Sequence, residues 1–374
     1  MSKEKIVFWT PNNMLRVCPT AKYFIAVGER SNGKTFGVKE YAFDDYLKRG
    51  KQLGVIRRWE DDFKGNNGKG FYNDFVNNPL RGNIIKTKSG GKWNSFKYTS
   101  GAWYLQRRNK DGEVEEEDEK PFALAFALTK TEHYKSIPFP DIETILFDEF
   151  MTRRLYINDE FLLFTDILSS IIRLRETPRI FMCANTISTY CPYMIEMGIR
   201  NFARMESGQI DIYEYGDNKQ LKVCIERTDA MKKKGSKASN VFFAFDNPKL
   251  KMITEGSFEI AIYPHMPFQY IPKEIKYIYF IKFNYETFQC EIIHHEGNWI
   301  TFIHRKTTPI KENEHNLIYQ EEYDPRPNYA RRILHPTNRL QNAIAKFFAK
   351  EKVFYQDNEV GESISHYLNW QDKA

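Results

Sequence analysis

With 374 residues, 41% of them hydrophobic and 28% charged, the chain has room for two domains with real cores and is too apolar to be disordered. No apolar run nears the ~20 residues that span a bilayer, and Met1-Ser2-Lys3-Glu4-Lys5 lacks an apolar signal core, so no membrane role is expected. Five scattered cysteines without a CxxC pair argue against a disulfide or zinc framework; the net charge of +6 sits in the first two-thirds, because residues 249–374 are about neutral.

Taken in chain order, Tyr23-Phe24-Ile25-Ala26-Val27 predicts a short buried strand, and Phe36 to Arg49 has helical spacing of its apolar positions. Between them Gly28-Glu29-Arg30-Ser31-Asn32-Gly33-Lys34-Thr35 completes the phosphate-loop pattern G-x4-G-K-[ST]. A strand, a glycine-rich turn and a helix aim backbone N–H groups and a helix N-terminus at one anionic spot. All eight residues are expected to bind a nucleoside triphosphate, ATP, with Lys34 on the outer phosphates and the Thr35 hydroxyl on Mg²⁺.

A strand follows at Gly54-Val55-Ile56-Arg57-Arg58-Trp59. The stretch 63–108 is rich in Gly, Asn and Lys and reads as inserted loops and hairpins. From Arg81 to Arg108 it has seven basic residues and no acidic one, interleaved with Trp93, Phe96, Tyr98, Trp103 and Tyr104. A second basic cluster is Lys48, Arg49, Lys51, Arg57 and Arg58. Cations mixed with aromatics suit a phosphate backbone, so Lys86, Lys88, Lys92, Lys97, Arg57 and Arg58 are expected DNA contacts; a solvated hairpin face would read the same way. The acidic run Asp111 to Glu119 reads as an exposed loop tip.

Phe122 to Leu128 and Ile142 to Phe147 read as buried strands, the second delivering Asp148 and Glu149 at its end. Asp159 to Glu176 predicts a helix with Asp159 as N-cap and Pro178 beyond its end. Arg179 to Asn185 is a further buried strand. This alternation predicts an α/β domain with a mainly parallel sheet and helices on both faces. Asp148 would hold the Mg²⁺ shell, and Glu149 would orient and deprotonate the attacking water. Asn185 would sense the γ-phosphate or serve as a plain turn residue. Phosphoryl transfer also calls for arginine: Arg30 within its own subunit, or Arg173 or Arg175 reaching a neighbour.

The polar stretch Asp229 to Asn240 suggests a linker over 229–248, separating an ATPase domain, 1–228, from a second domain, 249–374. Phe258 to Tyr263, Ile275 to Phe283, Cys290 to His294 and Trp299 to His304 read as antiparallel strands, with helices near 338–350 and 359–368. This is a small α+β domain.

Together the phosphate loop, Ile145-Leu146-Phe147-Asp148-Glu149 and Cys183-Ala184-Asn185 resemble the additional-strand catalytic-glutamate class of P-loop ring ATPases. Within it the chain resembles the DNA-packaging ATPases of phi29-like tailed phages, which are similar to large-terminase motors; Arg30, four residues before Lys34, matches the terminase-like pattern. The resemblance implies a pentameric ring that hydrolyses ATP to pull double-stranded DNA into a prohead, with the portal and a structural packaging RNA as partners. It would work in the host cytoplasm, transiently at the portal vertex. It also implies an RNase H-like second domain, in which Lys282 and Asn284 stand where a nuclease needs acids, so cleavage is not expected. Two other readings stay open: a cellular translocase or helicase of the FtsK/HerA kind, and a nucleic-acid- or portal-binding structural protein with a silent P-loop.

Overall fold

The computed structural model describes residues 8–30, 32–152, 156–157, 159–185, 191–199, 201–228, 263–283, 286–311 and 316–371. Ser31, Asn284, the linker 229–248 and most of the strand expected at 258–263 lie outside the described residues. The chain divides into two compact units, residues 1–259 and 260–374.

The first unit is built on a ten-stranded sheet. Its strands are β1 (Tyr23–Gly28), β2 (Gln52–Arg57), β3 (Ser95–Thr99), β4 (Ala102–Arg108), β5 (Val114–Glu117), β6 (Ala123–Ala127), β7 (Ile142–Asp148), β8 (Arg179–Asn185), β9 (Ile210–Tyr215) and β10 (Leu221–Arg227). The helices are α1 (Asn12–Val17), α2 (Lys34–Arg49), α3 (Asn66–Gly70), α4 (Asn73–Val76), α5 (Ile84–Lys88), α6 (Thr131–Tyr134), α7 (Glu160–Ile172) and α8 (Pro192–Glu196). Six strands run parallel in the order β6-β2-β7-β8-β1-β10. Antiparallel strands close both sides: β9 on β10, and β4 on β6.

The interior strands are apolar on both faces, as a sheet covered on both sides requires. Phe24 to Val27, Ile145 to Phe147 and Ile180 to Ala184 are all buried. Phe24 stacks on Phe181 at 5.1 Å, and Phe147 stacks on Phe164 of α7 at 5.0 Å. At roughly 1.5–3 kcal/mol per buried aromatic or aliphatic side chain, such contacts fix which strands are central. One consequence matters for the site. β8 lies between the phosphate-loop strand β1 and the carboxylate strand β7, which is the additional strand that the resemblance implies.

Three expectations need correction. The stretch 63–108 is not all loops and hairpins: α3, α4 and α5 precede the β3–β4 hairpin, which joins the main sheet. Trp93 and Trp103 are core residues, at 4% and 0% exposure, packed with Tyr72, Phe75 and Phe122. The acidic run is not merely a loop tip, because Val114 to Glu117 forms β5 against β4. Strand pairing is possible there because Arg107 meets Glu115 and Glu116, and Lys97 meets Glu117 at 2.9 Å.

The second unit holds a six-stranded sheet of order β15-β14-β11-β12-β13-β16. Its strands are β11 (Ile275–Phe283), β12 (Glu286–His295), β13 (Asn298–Arg305), β14 (Ile318–Gln320), β15 (Tyr329–Ala330) and β16 (Val353–Tyr355). β11, β12 and β13 form an antiparallel meander, while β14 runs parallel to β11 and β16 parallel to β13. Two helices follow, α9 (Arg339–Ala349) and α10 (Asn358–Gln371), where the sequence predicts them. Asn338 caps the first by accepting from the Gln341 N–H at 2.9 Å.

A buried acid on β12 gives this unit a pH signature. Glu291 accepts from Tyr270 Oη at 2.6 Å and Gln289 Nε2 at 2.6 Å, and lies 3.3 Å from His304 Nε2. Burial alone would raise the Glu291 carboxyl, but the hydrogen bonds from His304, Tyr270 and Gln289 hold it below the ordinary value. The bond to Glu291 lifts His304 above its ordinary 6.5, against burial. The histidine contribution is complete below 6.5 and disappears as pH rises through the elevated value; the glutamate contribution is complete above 4.5 and disappears as pH falls through the depressed one. His304→Gln should therefore lower the urea midpoint of the whole chain more at pH 5.5 than at pH 8.5. An equal loss at both pH values would show that packing, not charge, is what His304 supplies.

Candidate nucleotide site

The C-terminal ends of β1, β8, β7 and β2 meet at one edge of the sheet. Gly28 pairs with Asn185 across β1 and β8, Asp148 pairs with Cys183 across β7 and β8, and Ile56 pairs with Phe147 across β2 and β7. The register alone therefore brings the phosphate loop, Asn185, Asp148 and Arg57 to the same edge.

The loop itself depends on two glycines. A Cβ on Gly28 would stand 1.9 Å from Thr228 Oγ1, so any larger residue would have to displace Thr228. Gly33 has φ 92°, the left-handed conformation that turns the chain into α2. Asn32 is buried and donates through Nδ2 to Thr228 Oγ1. Thr228 was not singled out in the sequence, and its signal there is weak, since it is one threonine beyond a strand end.

Lys34 is 5% exposed and its ammonium is directed back over the loop. It donates to the carbonyls of Gly28 at 3.1 Å and Glu29 at 2.6 Å, to Asn32 Oδ1 at 3.1 Å and to Asn185 Oδ1 at 3.4 Å. Burial pushes this ammonium down to about 8, against the pull of Asp148 and Glu29. A polyanion at the loop would restore the charged form. Glu29 is half-buried, and that burial raises its carboxyl, so it is a poor competitor for Lys34.

Thr35 donates through Oγ1 to Asp148 Oδ1 at 2.5 Å. The two groups stand together as the hydroxyl and carboxylate that a hard, oxygen-seeking cation such as Mg²⁺ takes. Glu149 follows Asp148 in a left-handed turn, φ 57°, which lifts its exposed side chain out of the strand. A non-glycine residue in this conformation is strained, and a sheet edge that aims a carboxylate is a place where such strain is kept. Arg30, Arg57, Asp148, Glu149 and Asn185 line one open cavity of about 300 Å³, with Trp59, Asp62 and Met151 on its wall.

Two expected DNA contacts belong instead to this site. Arg57 donates to Asp148 Oδ2 at 2.5 Å and lies over the Phe71 ring at 5.4 Å. Arg58 is 7% exposed and forms a two-bond pair with Glu160, at 2.8 and 2.7 Å. It also donates to the Phe150 carbonyl at 2.9 Å, directly beneath the Glu149 turn. Arg57 ends β2 and Arg58 follows it; the first meets Asp148 and the second Glu160 of α7. Glu160, which the sequence reading missed, collects Arg58, Tyr193 Oη at 2.7 Å and the Ile157 N–H at 2.7 Å. Asp159 stands at the N-cap position as expected, but with φ 54° and no cap bond from its side chain.

The other expected residues divide. Arg175 donates to the carbonyls of Phe139, Pro140, Ile142 and Ile171 and to Glu143, so it fastens the end of α7 to β7 in its own subunit and is not available to a neighbour. Arg173, at φ 49°, is exposed beside the fully exposed Leu174. Lys88 is paired with Glu40 and Asp44 of α2, and Lys97 with Glu117, so neither is the free cation expected for DNA. Lys86 is exposed, and Lys92 lies over the Trp93 ring at 4.8 Å.

The fold is that of a P-loop NTPase of the additional-strand class. A family model described as Podovirus DNA encapsidation protein (Gp16) matches residues 112–217, which include Asp148, Glu149 and Asn185. The DNA packaging protein of Bacillus phage phi29 is 24% identical over 197 residues, covering 51% of this chain and 50% of that protein. That of Bacillus phage B103 is 22% identical over 178 residues, 46% of this chain and 47% of its own. The chain thus spans about half the length of the curated relatives it matches. Among solved structures, the bacteriophage Phi-29 viral genome packaging motor assembly superposes with TM-score 0.60 at 17% identity, covering 97% of this chain and 99% of that one. The Phi-28 gp11 DNA packaging motor gives 0.57 at 18% identity, covering 96% and 97%. The resemblance to phi29-type packaging proteins, read from three short motifs, is borne out.

Proposed function

We propose that this chain is an ATPase that drives double-stranded DNA into a viral prohead. The observation that carries this reading is the convergence of Lys34, Thr35, Asp148, Glu149 and Asn185 at one sheet edge, on a fold shared with two packaging motors. Lys34 and the α2 N-terminus would hold the triphosphate, with Gly28, Glu29, Arg30, Asn32 and Gly33 around it. Thr35 and Asp148 would hold Mg²⁺, which neutralises phosphate charge. Glu149 would draw a proton from the attacking water, and Asn185 would position that water or report the γ-phosphate. Arg30 reaches the same cavity from the loop and would stabilise charge within its own subunit.

The curated relatives are described as DNA packaging proteins, and one solved relative as a packaging motor assembly. By that likeness we propose a pentameric ring at the portal of a prohead, in the host cytoplasm, with a packaging RNA as scaffold. Arg173 is the arginine we assign to the neighbouring subunit's site. Lys86 and Lys92 remain as DNA contacts after the other cations are paired. For residues 260–374 we propose an RNase H-like domain without cleavage. Lys282, on the interior strand β11 and 5.7 Å from the Tyr329 ring, would repel the metals a nuclease centre needs.

The full-length chain with Mg²⁺ should hydrolyse ATP faster when duplex DNA is added, without separating its strands. Lys34→Ala should abolish nucleotide binding. Changing Lys86 and Lys92 together to alanine should leave basal hydrolysis intact while reducing the salt slope of DNA binding by roughly two units. Strand separation would favour the helicase reading, and bound ATP without turnover would favour the silent P-loop.

A further inference from the structure

Arg57 is the residue at this site whose chemistry the hydrolysis scheme leaves unused. Its guanidinium donates to Asp148 Oδ2 at 2.5 Å, while Thr35 holds the other oxygen of the same carboxylate at 2.5 Å. Asp148 is 3% exposed, so a lone carboxylate there would be costly, and the arginine supplies the charge that balances it. Only part of the guanidinium is hydrogen-bonded. Its Nε is buried without a hydrogen-bond partner, and the group rests on the flat face of Phe71 at 5.4 Å, a contact that permits sliding. Phe71 is in turn fixed: its carbonyl accepts from Lys39 of α2 at 2.6 Å, and the same ammonium holds Asp74. The open side of Arg57 faces the cavity shared with Arg30, Glu149 and Asn185.

We propose that Arg57 is a resident counter-cation of Asp148, which gives way to the divalent metal when a metal–nucleotide complex enters and turns along Phe71 into the cavity. Its position rests on the nucleotide-site reading above. A divalent ion on Thr35 and Asp148 would meet a like charge bonded to the same carboxylate, and the two cannot both keep full contact. Arg57 is thus a positioning residue. It sets how much Mg²⁺ is needed to load the site, and its own place reports loading.

The test uses the full-length protein and a fluorescent ATP analogue bearing a methylanthraniloyl group, titrated at several Mg²⁺ concentrations and with EDTA. Arg57→Gln should lower the Mg²⁺ concentration for half-maximal binding several-fold, because the competitor is gone. In EDTA the same variant should bind the analogue several-fold more weakly, because an unbalanced Asp148 then repels the phosphates. Arg57→Lys, which keeps the charge, should return both quantities toward wild type. Opposite movement of the two affinities is something a merely destabilised protein would not show, and circular dichroism checks that each variant is folded. Folded Arg57→Gln with unchanged Mg²⁺ dependence would overturn the role of Arg57 while leaving the nucleotide site standing. If wild type itself bound no analogue, the nucleotide-site reading and the role of Arg57 would fall together.

Discussion

Glu149→Gln should bind ATP and Mg²⁺ about as tightly as wild type and turn over roughly 10²–10⁴ times more slowly, the usual worth of a general base. The proposed metal ligands are left alone by this change, since they are Thr35 and Asp148, bonded to one another at 2.5 Å. The amide fills the same volume in the same left-handed turn, so the backbone has no reason to move. What disappears is the carboxylate proposed to take the water's proton. Single-turnover hydrolysis, with binding measured in parallel, separates the two effects. Wild-type turnover would remove Glu149 from its role; loss of binding as well as turnover would mean that the turn, not the carboxylate, is what matters.

Glu160→Ala should cost about 3–5 kcal/mol of stability, the usual loss when one partner of a buried pair is removed. The magnitude follows from burial: the side chains of Arg58 and Glu160 are 8% and 1% exposed. The change would leave a guanidinium without its acid and would also orphan Tyr193 Oη and the Ile157 N–H. Urea unfolding of the full chain reads the loss directly. Replacing both partners, as Arg58→Met with Glu160→Leu, should recover much of the stability, because the desolvated charges are then gone. Turnover should stay low in that double variant, since Arg58 no longer holds the Phe150 carbonyl beneath the Glu149 turn. Stability restored together with turnover would show that Arg58 is structural and plays no part in placing Glu149.

The sheet edge that carries the candidate nucleotide site was legible because its signals are local. A phosphate loop needs glycine at two positions for reasons of backbone geometry, and both Gly28 and Gly33 meet that need. Interior parallel strands are continuous apolar runs, and β1, β7 and β8 each read that way. Arg57 and Arg58 were not legible, because two arginines at a strand end look alike whether they meet solvent, DNA or buried acids. Their partners are 91 and 102 residues away in the sequence. The same distance problem hid the fate of the basic stretch. It lacks acids of its own, but Glu40 and Asp44 of α2 neutralise Arg81 and Lys88, and Glu117 neutralises Lys97. Its tryptophans were equally ambiguous, since an aromatic beside a lysine can stack on a base or fill a core. Trp103 fills the core, with its indole N–H on the Gly68 carbonyl at 2.9 Å.

The most direct test of an ATP-driven duplex translocase is displacement of a short triplex-forming strand from a long duplex by the full-length protein. ATP with Mg²⁺ should release the third strand while the duplex stays paired. Release should fall to background in Glu149→Gln, although that variant remains bound to nucleotide and DNA. Steady ATP hydrolysis by wild type with the third strand still in place, tested with prohead portals as well as without, would contradict the account.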